Sequence, residues 1–280
     1  MEYECVQGSV DIPVSHLLYD SRNACPDGVF VCISGAVMDG HKFIPDVVLK
    51  GVTAVIVEKD VQAPENVTVI RVQNTRVALA YMSAAYFGYP AEELKTIGIT
   101  GTKGKTTTTY MVRSILENSG FKTGLIGTIE TIIGNKVIKA NNTTPESYLV
   151  QQYFRDMVNA GCQCVVMEVS SQGLMMHRVD GFTFDYGIFT NLGPDHIGPN
   201  EHKDLDDYIY CKSLLFQKCR HGIVNMDDAY VDRILKDHTC DVQTFGMSEQ
   251  ADFCAKDIQL LQKPGLLGVT YKLAGRMNMD

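Results

Sequence analysis

Lys95-Thr96-Ile97-Gly98-Ile99-Thr100, followed at once by Gly101-Thr102-Lys103-Gly104-Lys105-Thr106-Thr107, decides how this chain is read. The first six residues are apolar or β-branched enough to predict a buried strand. The next seven contain a GxxGKT core and lead into residues 105–118, whose pattern predicts a helix. Glycines lack a Cβ, so a loop built on them lets backbone N–H groups close around phosphate oxygens. The following helix adds the positive end of its dipole. Lys105 is placed to reach the β- and γ-phosphates, and Thr106 to offer its hydroxyl to Mg2+. The longer form GxxxxGK[ST] is not met, because Ile99 stands at its first glycine. The strand–turn–helix context still predicts that residues 101–107 form a nucleotide-binding loop.

Strands and helices alternate outward from the loop. Residues 124–133, 163–169, 185–190 and 222–225 read as strands, and 146–160, 206–218 and 229–237 as helices. Apolar strands alternating with helices predict an α/β fold with a mostly parallel sheet covered on both faces. After residue 240 only strands follow (241–246, 252–260, 268–274), predicting a small antiparallel β appendage. Upstream, strands at 29–33, 52–57 and 67–72 and a helix at 75–88, broken by Gly88-Tyr89-Pro90, predict a smaller α/β domain. The boundary falls near residue 92, giving domains of 1–92 and 93–280.

Composition narrows the partners. The 280 residues hold 33 acidic and 25 basic side chains, a net charge of −8. That excludes a general nucleic-acid or anionic-membrane binder, which needs basic patches. No apolar run approaches the ~18–20 residues of a membrane span. Met1 is followed by Glu2 and Glu4, which is not the start of a signal peptide. Nine scattered cysteines without a CxxC pair argue against a disulfide framework or structural zinc. A cytoplasmic protein is expected.

Parallel sheets gather ligands at the carboxyl ends of their strands. Glu168 lies at the end of the strand expected over 163–169, and Asp195-His196 follow the strand that ends near Thr190. Glu168 and His196 are therefore candidates to ligate metal beside the loop. Lys212, within a helix, reads on its own as a solvated lysine.

These motifs resemble the Mur ligases, ATP-dependent enzymes that form amide bonds in peptidoglycan synthesis, and most closely their third-residue-adding branch. Asp20-Ser21-Arg22, Gly28-Val29-Phe30-Val31 and Asp39-Gly40-His41 are similar to the family's N-terminal uridine-binding domain, and residues 101–107 to its GTxGKTT. Asn142-Thr143-Thr144-Pro145, Glu168-Val169-Ser170-Ser171, Asp195-His196 and Tyr208…Lys212…Phe216 complete the likeness. The resemblance implies that Ser21 and the backbone from Gly35 to Asp39 hold the uracil end. It implies that Thr143, Thr144, Ser170 and Arg178 contact the pyrophosphate and muramoyl-peptide portion. It further implies that Lys212 carries a carboxylated amine able to ligate Mg2+ with Thr106, Glu168 and His196, and that Asn278 reads adenine. Lys105, Glu168, His196 and Lys212 become the expected catalytic set. The expected substrates are ATP, UDP-N-acetylmuramoyl-L-alanyl-D-glutamate and an amino acid joined through an acyl phosphate.

Departures accompany the likeness. Ile197-Gly198-Pro199-Asn200-Glu201-His202 replaces the usual Leu-Asp-x-His-Gly, with about two extra residues before the helix. Met176 stands where some relatives have glutamine. Gly275-Arg276-Met277-Asn278 begins a G-x-x-N-x-x-N pattern whose second asparagine would follow Asp280, so a chain without the family's C-terminal domain is expected. Two other readings stay open: a non-catalytic UDP-muramoyl-peptide-binding homologue, and another ligase of this type (fourth-residue ligase or folylpolyglutamate synthetase).

Overall fold

The computed structural model describes all residues except 1, 36, 37, 196, 199, 200, 264, 265 and 277–280. Of the expected site residues, His196 and Asn278 lie outside the described set. The chain divides into two compact units, and these are not the contiguous pair 1–92 and 93–280. Residues 145–156 and 176–182 group with 1–93, and everything else forms the second unit. A contiguous cut read from composition cannot anticipate a chain that revisits its first unit twice.

The first unit carries five strands: β1 (Tyr3–Gln7), β2 (His16–Leu18), β3 (Gly28–Val31), β4 (Ala54–Val57) and β5 (Thr68–Val72), in the order β1-β5-β4-β3-β2. All pairs are parallel except β1 with β5. Its helices are α1 (Ile44–Leu49) and α2 (Thr75–Tyr86). Asn74 begins α2 by accepting the Arg76 and Val77 amides, an N-cap that answers otherwise unpaired donors. Period-two alternation explains why β3 is wholly apolar. Phe30 points into a cluster with Val47 of α1, while Val29 and Val31 point into another with Leu79 of α2. Each fully buried side chain of this kind contributes roughly 1.5–3 kcal/mol.

The second unit begins at β6 (Lys95–Thr100) and α3 (Lys105–Asn118). It continues through β7 (Thr123–Ile126), β8 (Glu130–Ile133) and β9 (Lys136–Lys139). Helix α4 (Ser147–Asn159) starts among the residues of the first unit, and β10 (Cys164–Glu168) and α5 (Ser171–Met175) follow it. Then come β11 (Phe184–Phe189), α6 (Leu205–Ser213), β12 (Cys219–Asn225), α7 (Val231–Ile234), β13 (Asp241–Gly246), β14 (Phe253–Lys263) and β15 (Leu266–Gly275). They form a ten-stranded sheet, β15-β14-β13-β12-β11-β6-β10-β7-β8-β9. From β7 to β14 the pairs are parallel; β14–β15, β7–β8 and β8–β9 are antiparallel.

The mostly parallel sheet matches expectation, with differences of detail. Residues 124–133 are two strands, because the chain reverses through 127–129. The helix expected over 206–218 ends at Ser213 and tightens into a 3-10 turn, Leu214–Gln217. Of the late strands, β13 extends the parallel sheet, and the β14–β15 hairpin is its antiparallel addition. Ile97, Ile99, Val166 and Ile188 form one face of the sheet's centre, packed on Val112 and Leu116 of α3. On the opposite face a Cβ at Gly98 would meet the Phe184 ring at 3.1 Å. Asp185 ties the starts of β6 and β11 together, accepting from the Thr96 amide (2.9 Å), Lys95 (3.1 Å) and Arg220 (3.1 Å).

Candidate functional site

The loop between β6 and α3 is shaped by its glycines. Gly101 has φ 151° and Gly104, the N-cap of α3, has φ 83°. A Cβ on Gly101 would lie 2.0 Å from Thr190 Oγ1, so only glycine fits there. The end of β11 holds the loop from the side. The Thr102 amide donates to Asn191 O (2.8 Å) and the Lys103 amide to Asn191 Oδ1 (3.0 Å). Thr190 Oγ1 and Asn191 Nδ2 donate back to Lys103 O at 2.8 and 2.9 Å. This scaffolding leaves exposed Lys103 and Thr107 outward and turns Lys105 inward.

Two lysines meet on one carbonyl. Lys105 Nζ donates to Gly101 O (2.9 Å) and Thr102 O (3.2 Å). Lys212 Nζ, brought in by α6, donates to the same Gly101 O at 3.0 Å. Lys212 is 2% exposed and lies 4.5 Å from the centroid of the Tyr208 ring. Burial, reinforced by the charge of Lys105, lowers the Lys212 amine to about 7. Burial also lowers Lys105, partly offset by Glu168 and Asp195. Tyr208 in turn meets Thr102 Oγ1 through its hydroxyl at 3.0 Å, tying α6 to the loop.

Glu168 arrives from β10, the strand beside β6. Thr106 Oγ1 donates to its Oε2 (2.9 Å), the Thr128 amide to Oε1 (2.8 Å) and Thr128 Oγ1 to Oε2 (3.1 Å). Because Thr128 gives its proton to Glu168, it accepts from Thr143 Oγ1 at 3.1 Å. Thr144 Oγ1 donates to Glu168 O (3.0 Å) and accepts the Ser170 amide (2.9 Å). Ser170 Oγ accepts the Gly173 amide at 3.0 Å, opening α5. A Cβ on Gly127 would stand 2.6 Å from Glu168 Oε1, so glycine keeps space beside the carboxylate. A carboxylate and a threonine hydroxyl on a glycine loop form a hard-oxygen set that fits Mg2+.

Thus Lys105, Thr106, Glu168, Lys212, Thr143, Thr144 and Ser170 are joined to one another or to the loop by hydrogen bonds within the second unit. Ser21 and Arg178 belong to the first unit. Ser21 opens a 3-10 turn capped by Asp20, and its carbonyl accepts Lys50 Nζ at 2.8 Å. Arg178 Nε lies 3.7 Å from Glu146 Oε2, the same oxygen that Arg76 reaches at 3.1 Å. Sequence reading missed Thr128 and Asn191, and quoted Tyr208 only within the Tyr208…Lys212…Phe216 likeness, without a role. Asn191 carried a signal, since it follows the β11 strand end; Thr128 carried none short of its contacts.

Comparison with known proteins gives two contiguous matches. The Mur ligase middle-domain model matches residues 99–279, and the model described as Mur ligase family, catalytic domain, matches residues 13–87. A UDP-N-acetylmuramoyl-L-alanyl-D-glutamate–2,6-diaminopimelate ligase of Clostridium perfringens is 46% identical over 264 residues, covering 92% of this chain and 54% of its own length. The like-named enzyme of Clostridioides difficile is 42% identical over 272 residues, covering 96% of this chain and 55% of its own. The chain therefore spans about half the length of the curated relatives it matches. A solved ligase of the same name superposes with TM-score 0.84 at 22% identity, covering 97% of this chain and 57% of that one. A MurF ligase from Thermotoga maritima in complex with ADP superposes with TM-score 0.55 at 18% identity, covering 95% and 57%. With one family model spanning most of the second unit and another most of the first, this chain belongs to the Mur ligase family.

Proposed function

We propose that this chain carries the ATP- and UDP-sugar-binding machinery of a cytoplasmic ligase that joins 2,6-diaminopimelate to UDP-N-acetylmuramoyl-L-alanyl-D-glutamate. The amino acid is named from the relatives, whose printed activity is that addition. On this reading the first unit receives the uridine end and the second holds ATP. The observation that carries it is the convergence on one loop: Lys105 and Lys212 share Gly101 O, while Glu168 bonds to Thr106 one residue further on.

The chemistry follows from the charges. A substrate carboxylate oxygen attacks the γ-phosphorus, the β–γ bridging P–O bond breaks, and ADP leaves. The amine of the incoming amino acid then attacks the acyl-phosphate carbonyl, the C–O bond to phosphate breaks, and the amine gives up a proton. Phosphorylation replaces a poor leaving group with a good one. Lys105, detached from the loop carbonyls, offsets the charge on the transferring phosphoryl group. Thr106 and Glu168 would hold Mg2+, which supplies neutralisation of phosphate charge when bound. An amine near 7 leaves Lys212 partly unprotonated at neutral pH. Its lone pair can therefore add to CO2, forming an N–C bond and releasing one proton. The resulting carbamate is an anion, which changes Lys212 from a metal repellent into a metal ligand. Ser21, Thr143, Thr144, Ser170 and Arg178 would bind the UDP-muramoyl dipeptide, supplying alignment.

The test is ADP release by the protein as expressed from its gene, given ATP, Mg2+ and diaminopimelate with each of several UDP-muramoyl substrates. Release dependent on the L-alanyl-D-glutamate form is expected. Nucleotide binding with no release on any UDP-muramoyl substrate would reject the ligase reading.

A further inference from the structure

We infer that His202 is a positioning residue of the loop site: a strut fixing the Glu168–Ser171 turn against the helix that carries Tyr208 and Lys212. The inference rests on the ligase reading above. His202 is fully buried, with Nε2 at 2.8 Å from Ser171 Oγ and Nδ1 at 3.1 Å from Asp207 Oδ2. A carboxylate only accepts, so Nδ1 carries the proton and Nε2 accepts from the serine hydroxyl. Each end of the strut borders the site. Ser171 lies three residues beyond Glu168 at the start of α5, and Asp207 lies in the first turn of α6, five residues before Lys212.

The middle of the strut borders it too. The imidazole packs on the Tyr208 ring with centroids 4.9 Å apart. That ring supports Lys212 Nζ on its face, and its hydroxyl meets Thr102 of the loop. One side chain thus touches the turn that aims Glu168, the helix that delivers Lys212, and the ring between Lys212 and the loop.

Two other uses of these atoms fit less well. The Ser171–His202–Asp207 order is that of a hydrolytic triad, but Ser171 is only 4% exposed, sealed from any substrate carbonyl. His202, Asp207 and Cys211 bring potential ligand atoms within 4.8 Å of one another. Burial and the nearby Asp207 push the Cys211 thiol up to about 12, a cost that metal ligation by its sulfur would first have to overcome.

The experiment measures binding of the non-hydrolysable ATP analogue AMPPCP to the full chain by calorimetry, with Mg2+ and in EDTA, alongside thermal melts. His202→Gln and Ser171→Ala are expected to weaken Mg2+-AMPPCP about tenfold while changing affinity in EDTA less than about twofold, as loss of support behind metal ligands does. Ser171→Thr, which keeps the hydroxyl, should restore the wild-type value. Equal losses with and without Mg2+, no loss at all, or failure of both variants to fold would overturn the strut. If the wild-type chain gains nothing from Mg2+, the ligase reading falls and takes the strut with it. If the wild type gains and the variants match it, only the strut falls.

Discussion

Asp39 and Glu168 are both carboxylates with several partners, and the partners differ in kind. Asp39, in the first unit, is held by Lys59 (2.5 Å) and His41 (2.6 Å), and these bonds keep its carboxyl well below the usual range. His41 is fixed on its other side by the Glu58 amide at 3.0 Å. Glu168, in the second unit, is almost wholly buried and held by two hydroxyls and an amide. Among the described residues no cation forms an ion pair with it. A carboxylate already matched by fixed cations shapes its own loop. One held only by dipoles keeps its charge for a cation from outside. On the proposed reading, the same residue class builds a wall in one unit and a receptor in the other.

The strongest way to break this contrast is Glu168→Gln, which keeps the shape and removes the charge. ADP release should fall by about a thousandfold, in the range of losing one electrostatic stabiliser from a preorganised site. A loss under tenfold would mean that Glu168 is a structural acceptor like Asp39. Next is Gly101→Ala, where the added Cβ meets Thr190 and the backbone sits at φ 151°. It should cost about 2–4 kcal/mol in denaturant melts and weaken nucleotide binding measured by calorimetry.

Asp185 sharpens the comparison within the second unit, because there a buried carboxylate is saturated. Burial alone would raise its pKa, but the Thr96 amide and the Lys95 ammonium outweigh that and hold it low. A lowered native pKa gives stability that is present above the unfolded value of ~3.9 and disappears as pH falls through the native one. Asp185→Asn should therefore lose roughly 1–3 kcal/mol at pH 7 and almost nothing in strong acid, read as urea midpoints across pH. Asp39→Asn ranks last. Its salt bridge to the half-exposed Lys59 is screened by solvent, so a loss of roughly 1 kcal/mol or less is expected, again by urea melts.

How much was legible follows from how the residues are spread. The loop was readable because its glycines, lysine and threonine are contiguous and lie between a strand and a helix. Glu168 was readable because β10 ends on it, and strand ends gather in a parallel sheet. Lys212 was not readable from its surroundings in sequence: only the fold shows α6 burying that amine above Gly101. The bonds from Thr128 to Glu168 and from His202 to Ser171 stayed hidden for the same reason, since these partners lie 40 and 31 residues apart. Strands β1 and β2 went unread because one is an exposed edge and the other has only three residues, too short for a period.

The Gly101 carbonyl has a consequence for the order of events. Two amines lean on one oxygen, and the charge of Lys105 adds to burial in making Lys212 a worse base. On the proposed reading, once a triphosphate attracts Lys105, that part of the penalty relaxes and Lys212 becomes easier to protonate. On the proposed ligase reading, capture of CO2 by Lys212 is therefore favoured before the nucleotide arrives.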